Sequence, residues 1–154
     1  MNATLKTTVL GLVCLLFAAL PAAADDAANM KKLMGENFQN ALKILTELIR
    51  ADYTTVPKDV DVIRQHAELL MKTPPVTLKT TEEKELFYTY ATNLKSNANH
   101  LIVVTQELNR RDKEQSKPGE LKVDYLRVVA AEHYGSIITT CVLCHNQFRR
   151  HMVK

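Results

Sequence analysis

The chain predicts an all-α protein, an antiparallel four-helix bundle. Three observations support this. Apolar residues recur every three or four positions in four separate stretches, the spacing of one face of an α-helix. No stretch of useful length alternates with the period of two that a half-buried strand requires. Glycine is scarce, 4 in 154 residues, and tryptophan is absent, a composition in keeping with a plain helical protein.

The first 24 residues, MNATLKTTVLGLVCLLFAALPAAA, carry one lysine, an apolar run from about Val9 to Leu20, then Pro21 and three alanines. This is the pattern of a secretory signal peptide, cleaved after Ala24. The run is shorter than the ~20 apolar residues that span a bilayer. No membrane span is therefore expected once the segment is removed. Cys14 lies inside this run and leaves with it, so the remaining domain, residues 25–154, keeps only Cys141 and Cys144. Its length suits a single core. Removing Lys6 leaves 19 Lys and Arg against 17 Asp and Glu, spread evenly along the chain. No basic block or motif points to nucleic acid.

The first helix is expected from Asp26 to Ala51, with Met30, Met34, Phe38, Ala41, Leu45 and Leu48 as its buried stripe. The second opens at Pro57, a good first-turn residue. It buries Val60, Ile63, Ala67 and Leu70, and stops before Pro74-Pro75, which cannot continue a helix. The third begins at Thr80, which has capping-box spacing to Glu83, and runs through Phe87, Tyr90, Leu94, Ala98, Leu101, Thr105 and Leu108. A polar loop is expected over Asp112–Gly119. The fourth starts near Leu121 and carries Leu126, Ala130, His133, Tyr134, Ile137, Cys141, Cys144, His145 and Phe148 at helical spacing. Short connections between such helices give up-down-up-down topology.

On that fourth helix stands TTCVLCHNQFRR, with Cys141, Cys144 and His145 as C-x-x-C-H. Three chemistries use such a set. A redox dithiol places C-x-x-C at a helix N-terminus beside a βαβ unit, where the dipole lowers the thiol pKa. Here the pair lies some 20 residues into a helix and no strand is expected. A zinc site needs four ligands, and the only other nearby imidazole is His151. A disulfide across C-x-x-C would close a very small loop and stabilise little. Covalent c-type haem attachment gives every residue a role: two thiols join the macrocycle and the adjacent imidazole takes the proximal iron position. Positions i, i+3 and i+4 project from one side of a helix. Export agrees with this reading, since c-type haem is attached outside the cytoplasm.

A C-terminal Cys141-x-x-Cys144-His145-x-x-Phe148-Arg149 preceded by three helices resembles the cytochrome c′, or class II cytochrome c, family. The resemblance covers about residues 27–151 and implies a left-handed antiparallel bundle with one haem c at its end. It implies a periplasmic protein, often a homodimer through the first two helices, that is not an enzyme and exchanges electrons with redox protein partners. In this family the sixth iron position is supplied from the first helix. Low-spin members place a methionine there and carry electrons; high-spin members leave it open and bind NO or CO. A third role is that of a haem subunit in a larger respiratory complex.

Aligning Met34 with the methionine ligand puts Phe38, Ala41, Leu42, Ile44 and Leu45 on the family's apolar positions, whereas Met30 needs a one-residue shift. Met34 is thus the expected distal ligand and Met30 the fallback, with core gap-filling as the alternative use of either. His66 and His100 are the imidazole rivals for that position. Phe148 is expected to pack near the proximal histidine, Arg149 to pair with a haem propionate, and Tyr134 and Ile137 to wall the site. His133 is expected either to pack near the ring or to face water.

Overall fold

The computed structural model describes residues 21–114 and 121–152. Its elements are α1 (Pro21–Ile49), α2 (Val56–Lys72), α3 (Thr81–Lys113) and α4 (Leu121–Met152), and no strand occurs among the described residues. Each helix packs on its neighbours in sequence, and α4 closes the ring on α1. The expected four-helix bundle is the fold. No helix among the described residues is long and apolar enough to cross a membrane. Most of the expected signal segment, and the 115–120 part of the expected loop, lie outside the described residues. Asp112 and Lys113, placed in that loop from the sequence, instead extend α3.

The start of α3 follows from local chemistry. Thr80 Oγ1 accepts from the Glu83 N–H at 3.1 Å, and the Glu83 carboxylate accepts from the Thr80 N–H at 3.2 Å. Two backbone donors that the helix leaves orphaned are thereby satisfied. Pro57 occupies the first turn of α2, as expected. The end of α1 is a Schellman turn: the Asp52 N–H donates to the Glu47 carbonyl at 2.9 Å and the Ala51 N–H to Leu48 at 3.2 Å. Ala51 there has φ 55°, a left-handed conformation that glycine adopts without strain.

Two apolar clusters fill the bundle. The larger joins Ile44 of α1, Val56, Val60, Ile63 and Ala67 of α2, Leu101 and Leu108 of α3, and Val123, Ala130 and Ile137 of α4. The smaller joins Met30 from early α1, Leu70 from late α2, Phe87 from early α3 and Phe148 from late α4. Early and late residues alternate around this end, which is what antiparallel neighbours produce.

In α1 the buried face differs from expectation. Met30, Ala41 and Ile44 are buried, but Phe38 is 61% exposed and Leu45 38% exposed. The helix carries two apolar faces, and the one with Met30, Ala41 and Ile44 turns inward together with Asn37. Asn37 is buried because its side-chain oxygen lies 2.7 Å from His66 Nδ1 on α2. A buried amide is tolerable once hydrogen-bonded, and apolar periodicity alone would never place an asparagine in the core.

Candidate functional site

The C-x-x-C-H motif lies in the last third of α4, at the end of the bundle where the smaller cluster gathers. Cys144 packs against that cluster together with Leu33, Met34, Met71, Leu86 and Tyr90. Cys141, one turn earlier, packs against the larger one. The two thiols therefore straddle the seam between the clusters, both half-buried and unbonded. His145 and Arg149 are exposed beside them, while Phe148 is buried.

Aromatic rings fix this end. Phe148 meets Phe87 edge-to-face at 5.5 Å between centroids, and Tyr90 at 6.2 Å. Such T-shaped pairs are the favoured geometry for rings with opposed quadrupoles. Leu78, whose N–H donates to the Pro75 carbonyl at 3.1 Å, folds inward from the α2–α3 connection and closes the cluster.

Of the residues singled out from the sequence, the fold brings Met30, Met34, Cys144 and Phe148 into one cluster. Met30 is the more buried of the two methionines and Met34 is half-buried. Tyr134 and Cys141 pack on the adjoining core, and the Tyr134 hydroxyl donates to the Ala41 carbonyl at 3.0 Å, tying α4 to α1. His66 is engaged elsewhere, between Asn37 on Nδ1 and Glu36 at 3.4 Å from Nε2. His100 stacks on His133 across α3 and α4.

Phe87 and Leu78 were missed as site residues. Phe87 was legible as core, and the antiparallel topology could have moved it to the site, since the start of α3 must face the end of α4. Leu78 sits in a proline-rich connection and offered no periodicity to read.

Burial sets the thiol chemistry. The Cys141 thiol is pushed up to about 11 by desolvation, and Cys144 up to about 12 by desolvation and then by the neighbouring Cys141. Both stay protonated at neutral pH, the reverse of what a redox dithiol needs. No group of three or more His, Cys, Asp or Glu suited to hold a metal occurs among the described residues. What the motif offers is two protonated thiols, of which Cys144 shares a cluster with the two α1 thioethers, and an exposed imidazole on the same helix. That donor set suits a c-type haem: thiols for the covalent links, imidazole for one axial position and a thioether for the other.

Family models, curated proteins and solved structures show no match to this chain.

Proposed function

We propose that the protein is a periplasmic mono-haem c-type cytochrome that carries single electrons between redox proteins, with His/Met axial ligation. The observation that carries this reading is that Cys144, of the Cys141-x-x-Cys144-His145 motif, packs in one cluster at an end of the bundle with Met30, Met34 and Phe148. When bound, the haem supplies the one-electron couple of its iron.

The chain's own residues do the rest. Cys141 and Cys144 would hold the macrocycle through thioether links, His145, next along the helix, would supply the imidazole ligand to its iron, and Met34 would supply the thioether, with Met30 as the fallback one turn away. Phe148, Phe87 and Leu78 keep water from this end of the core, which with the thioether favours a higher potential. Arg149, exposed one turn beyond His145, would pair with a propionate.

The reading also assigns a self-pairing face. Phe38, Leu42, Leu45 and Ile49 form an exposed apolar ridge along α1. Their spacing, four, three and four, is symmetric about a point between Leu42 and Leu45. A two-fold axis there sets Phe38 against Ile49 and Leu42 against Leu45 of an antiparallel copy, which is how an isologous interface is built.

The test is expression in a host that attaches c-type haem. The expected product holds its haem through denaturing extraction, and loses it when Cys141 and Cys144 are both replaced by alanine. The reduced protein shows sharp low-spin bands that CO leaves unchanged. Met34→Ala converts it to a high-spin, CO-binding form; conversion by Met30→Ala instead moves the ligand to the fallback. A wild type that is already high-spin and binds CO at once would replace electron transfer with gas binding. Co-purification with an oxidoreductase would favour a subunit role.

A further inference from the structure

Away from the motif, the seam between α3 and α4 carries two imidazoles that the proposed function does not use. His100 and His133 stack with ring centroids 4.9 Å apart and planes 28° from parallel. His100 is exposed and His133 half-buried. His133 lies eight residues before Cys141, about 12 Å along the helix. It is therefore a separate place on the molecule.

The hydrogen bonds around His133 determine which of its nitrogens is available. Asn97 Nδ2 donates to the Asn93 carbonyl at 2.9 Å, which fixes the orientation of the Asn97 amide. Its oxygen must then face His133 Nδ1, 3.1 Å away, and accept the N–H there. A ring whose Nδ1 carries the proton keeps its lone pair on Nε2. This is the arrangement of metal-binding histidines, which give their other N–H to a carbonyl or carboxylate that holds tautomer and ring in place.

The second imidazole, His100, is exposed. Metal–nitrogen bonds of 2.0–2.1 Å require the two donor nitrogens about 3–4 Å apart. The ring centres stand 4.9 Å apart in the stacked arrangement, so joint coordination would require the His100 side chain to turn until its donor nitrogen converges with His133 Nε2.

We propose that His100 and His133 form a two-imidazole site for a borderline divalent transition cation, held in place by Asn97, with water in the remaining positions. Imidazole donors suit copper and zinc, and the general affinity order puts Cu²⁺ above Zn²⁺. The site does not depend on the haem reading, since none of its residues belongs to the motif.

The test uses the full chain, with Cys141 and Cys144 either carrying haem or alkylated so that the thiols cannot compete. Calorimetric titration with CuCl₂ is expected to give one tight equivalent, and the bound ion's electron paramagnetic resonance to show two nitrogen donors. His100→Ala and His133→Ala each weaken this equivalent at least about tenfold. Asn97→Ala, which leaves both imidazoles in place, weakens it by about 10-fold or more, the usual effect of losing such a support. ZnCl₂ binds the same site more weakly. Equal Cu²⁺ affinity in the wild type and in the double variant His100→Ala/His133→Ala overturns the site, as does loss of the tight equivalent in His66→Ala with both site histidines present.

Discussion

Replacing Phe148 by alanine tests whether the end of the bundle that carries the motif is a packed core. Phe148 is 2% exposed, one turn beyond Cys144 on α4, with edge-to-face contacts to Phe87 and Tyr90. Truncation of a buried phenylalanine costs about 3–5 kcal/mol through lost transfer free energy and the cavity left behind. The two ring pairs add about 0.5–1.5 kcal/mol each beyond burial. The better helix propensity of alanine returns about 0.5 kcal/mol, and a site so near a helix end collapses partly onto the gap. A net loss of about 4 kcal/mol follows. For a domain of roughly 130 residues, unfolding entropy near 2.1 cal/mol/K per residue converts this into a Tm lower by about 15 °C. Phe148→Leu refills most of the volume without the ring pairs and should cost about 1–2 kcal/mol, or about 5 °C. The assay is thermal unfolding followed by circular dichroism at 222 nm, wild type and variants compared in the same state of haem attachment. A Tm change under about 4 °C for Phe148→Ala would refute the packing described for this end, and with it the apolar shielding assigned to the site.

Four further outcomes follow from the structure. In the haem-free chain at pH 8, the raised thiol pKa values of Cys141 and Cys144 leave so little thiolate that iodoacetamide alkylation should run about a hundredfold or more below that of free cysteine; alkylation at the free-cysteine rate would return the redox-dithiol reading. Ala51→Gly should stabilise the domain by about 0.5–1 kcal/mol in urea unfolding, because φ 55° strains alanine more than glycine's extra unfolded freedom costs. Burial raises the Glu47 carboxyl above its ordinary 4.5, so the native state holds that proton more tightly and stability declines as pH rises from the unfolded value through the folded one. Glu47→Gln should therefore gain on the wild type above about pH 4.5 and match it well below, read as urea midpoints across pH. Leu42→Glu should shift the protein from dimer to monomer in analytical ultracentrifugation without lowering Tm by more than a few degrees; an unchanged sedimentation coefficient at high concentration would leave the α1 ridge without its assigned partner.

How far the fold could be read depended on which forces set each element. The starts of α2 and α3 were legible because Pro57 and the Thr80–Glu83 pair act within one turn. The phase of α1 was not, because the helix carries two apolar faces and local periodicity does not show that Asn37, bonded to His66 29 residues away, sits inside while Phe38 sits outside. The junction between α1 and α2 was equally hidden. Thr55 occupies the N-cap position of α2 but gives its hydroxyl to the Glu47 carboxylate, and Lys43 reaches across to Asp59 at 2.7 Å. These long-range polar bonds leave no trace in local periodicity. The motif itself was legible as Cys141, Cys144 and His145, since its spacing is its chemistry. Its lining was legible only in part, because Leu78 enters from a connection and not from a helix face.

The depth of the two methionines adds a constraint that sequence spacing could not supply. Alignment to the family pattern favours Met34, yet Met30 is the more buried and packs with Phe87 and Phe148. A distal ligand has to leave its packing to coordinate, so a half-buried methionine gives up less than a core one. Met30 withdrawn from the cluster would open a cavity costing about 2–5 kcal/mol on the scale of a buried methionine truncation, whereas Met34 at the cluster's margin is free of most of that cost. The burial of Met30 thus argues for its role as core filler and, on the proposed haem ligation, leaves Met34, which packs at the margin of the same cluster as Cys144, as the thioether that would give up less packing.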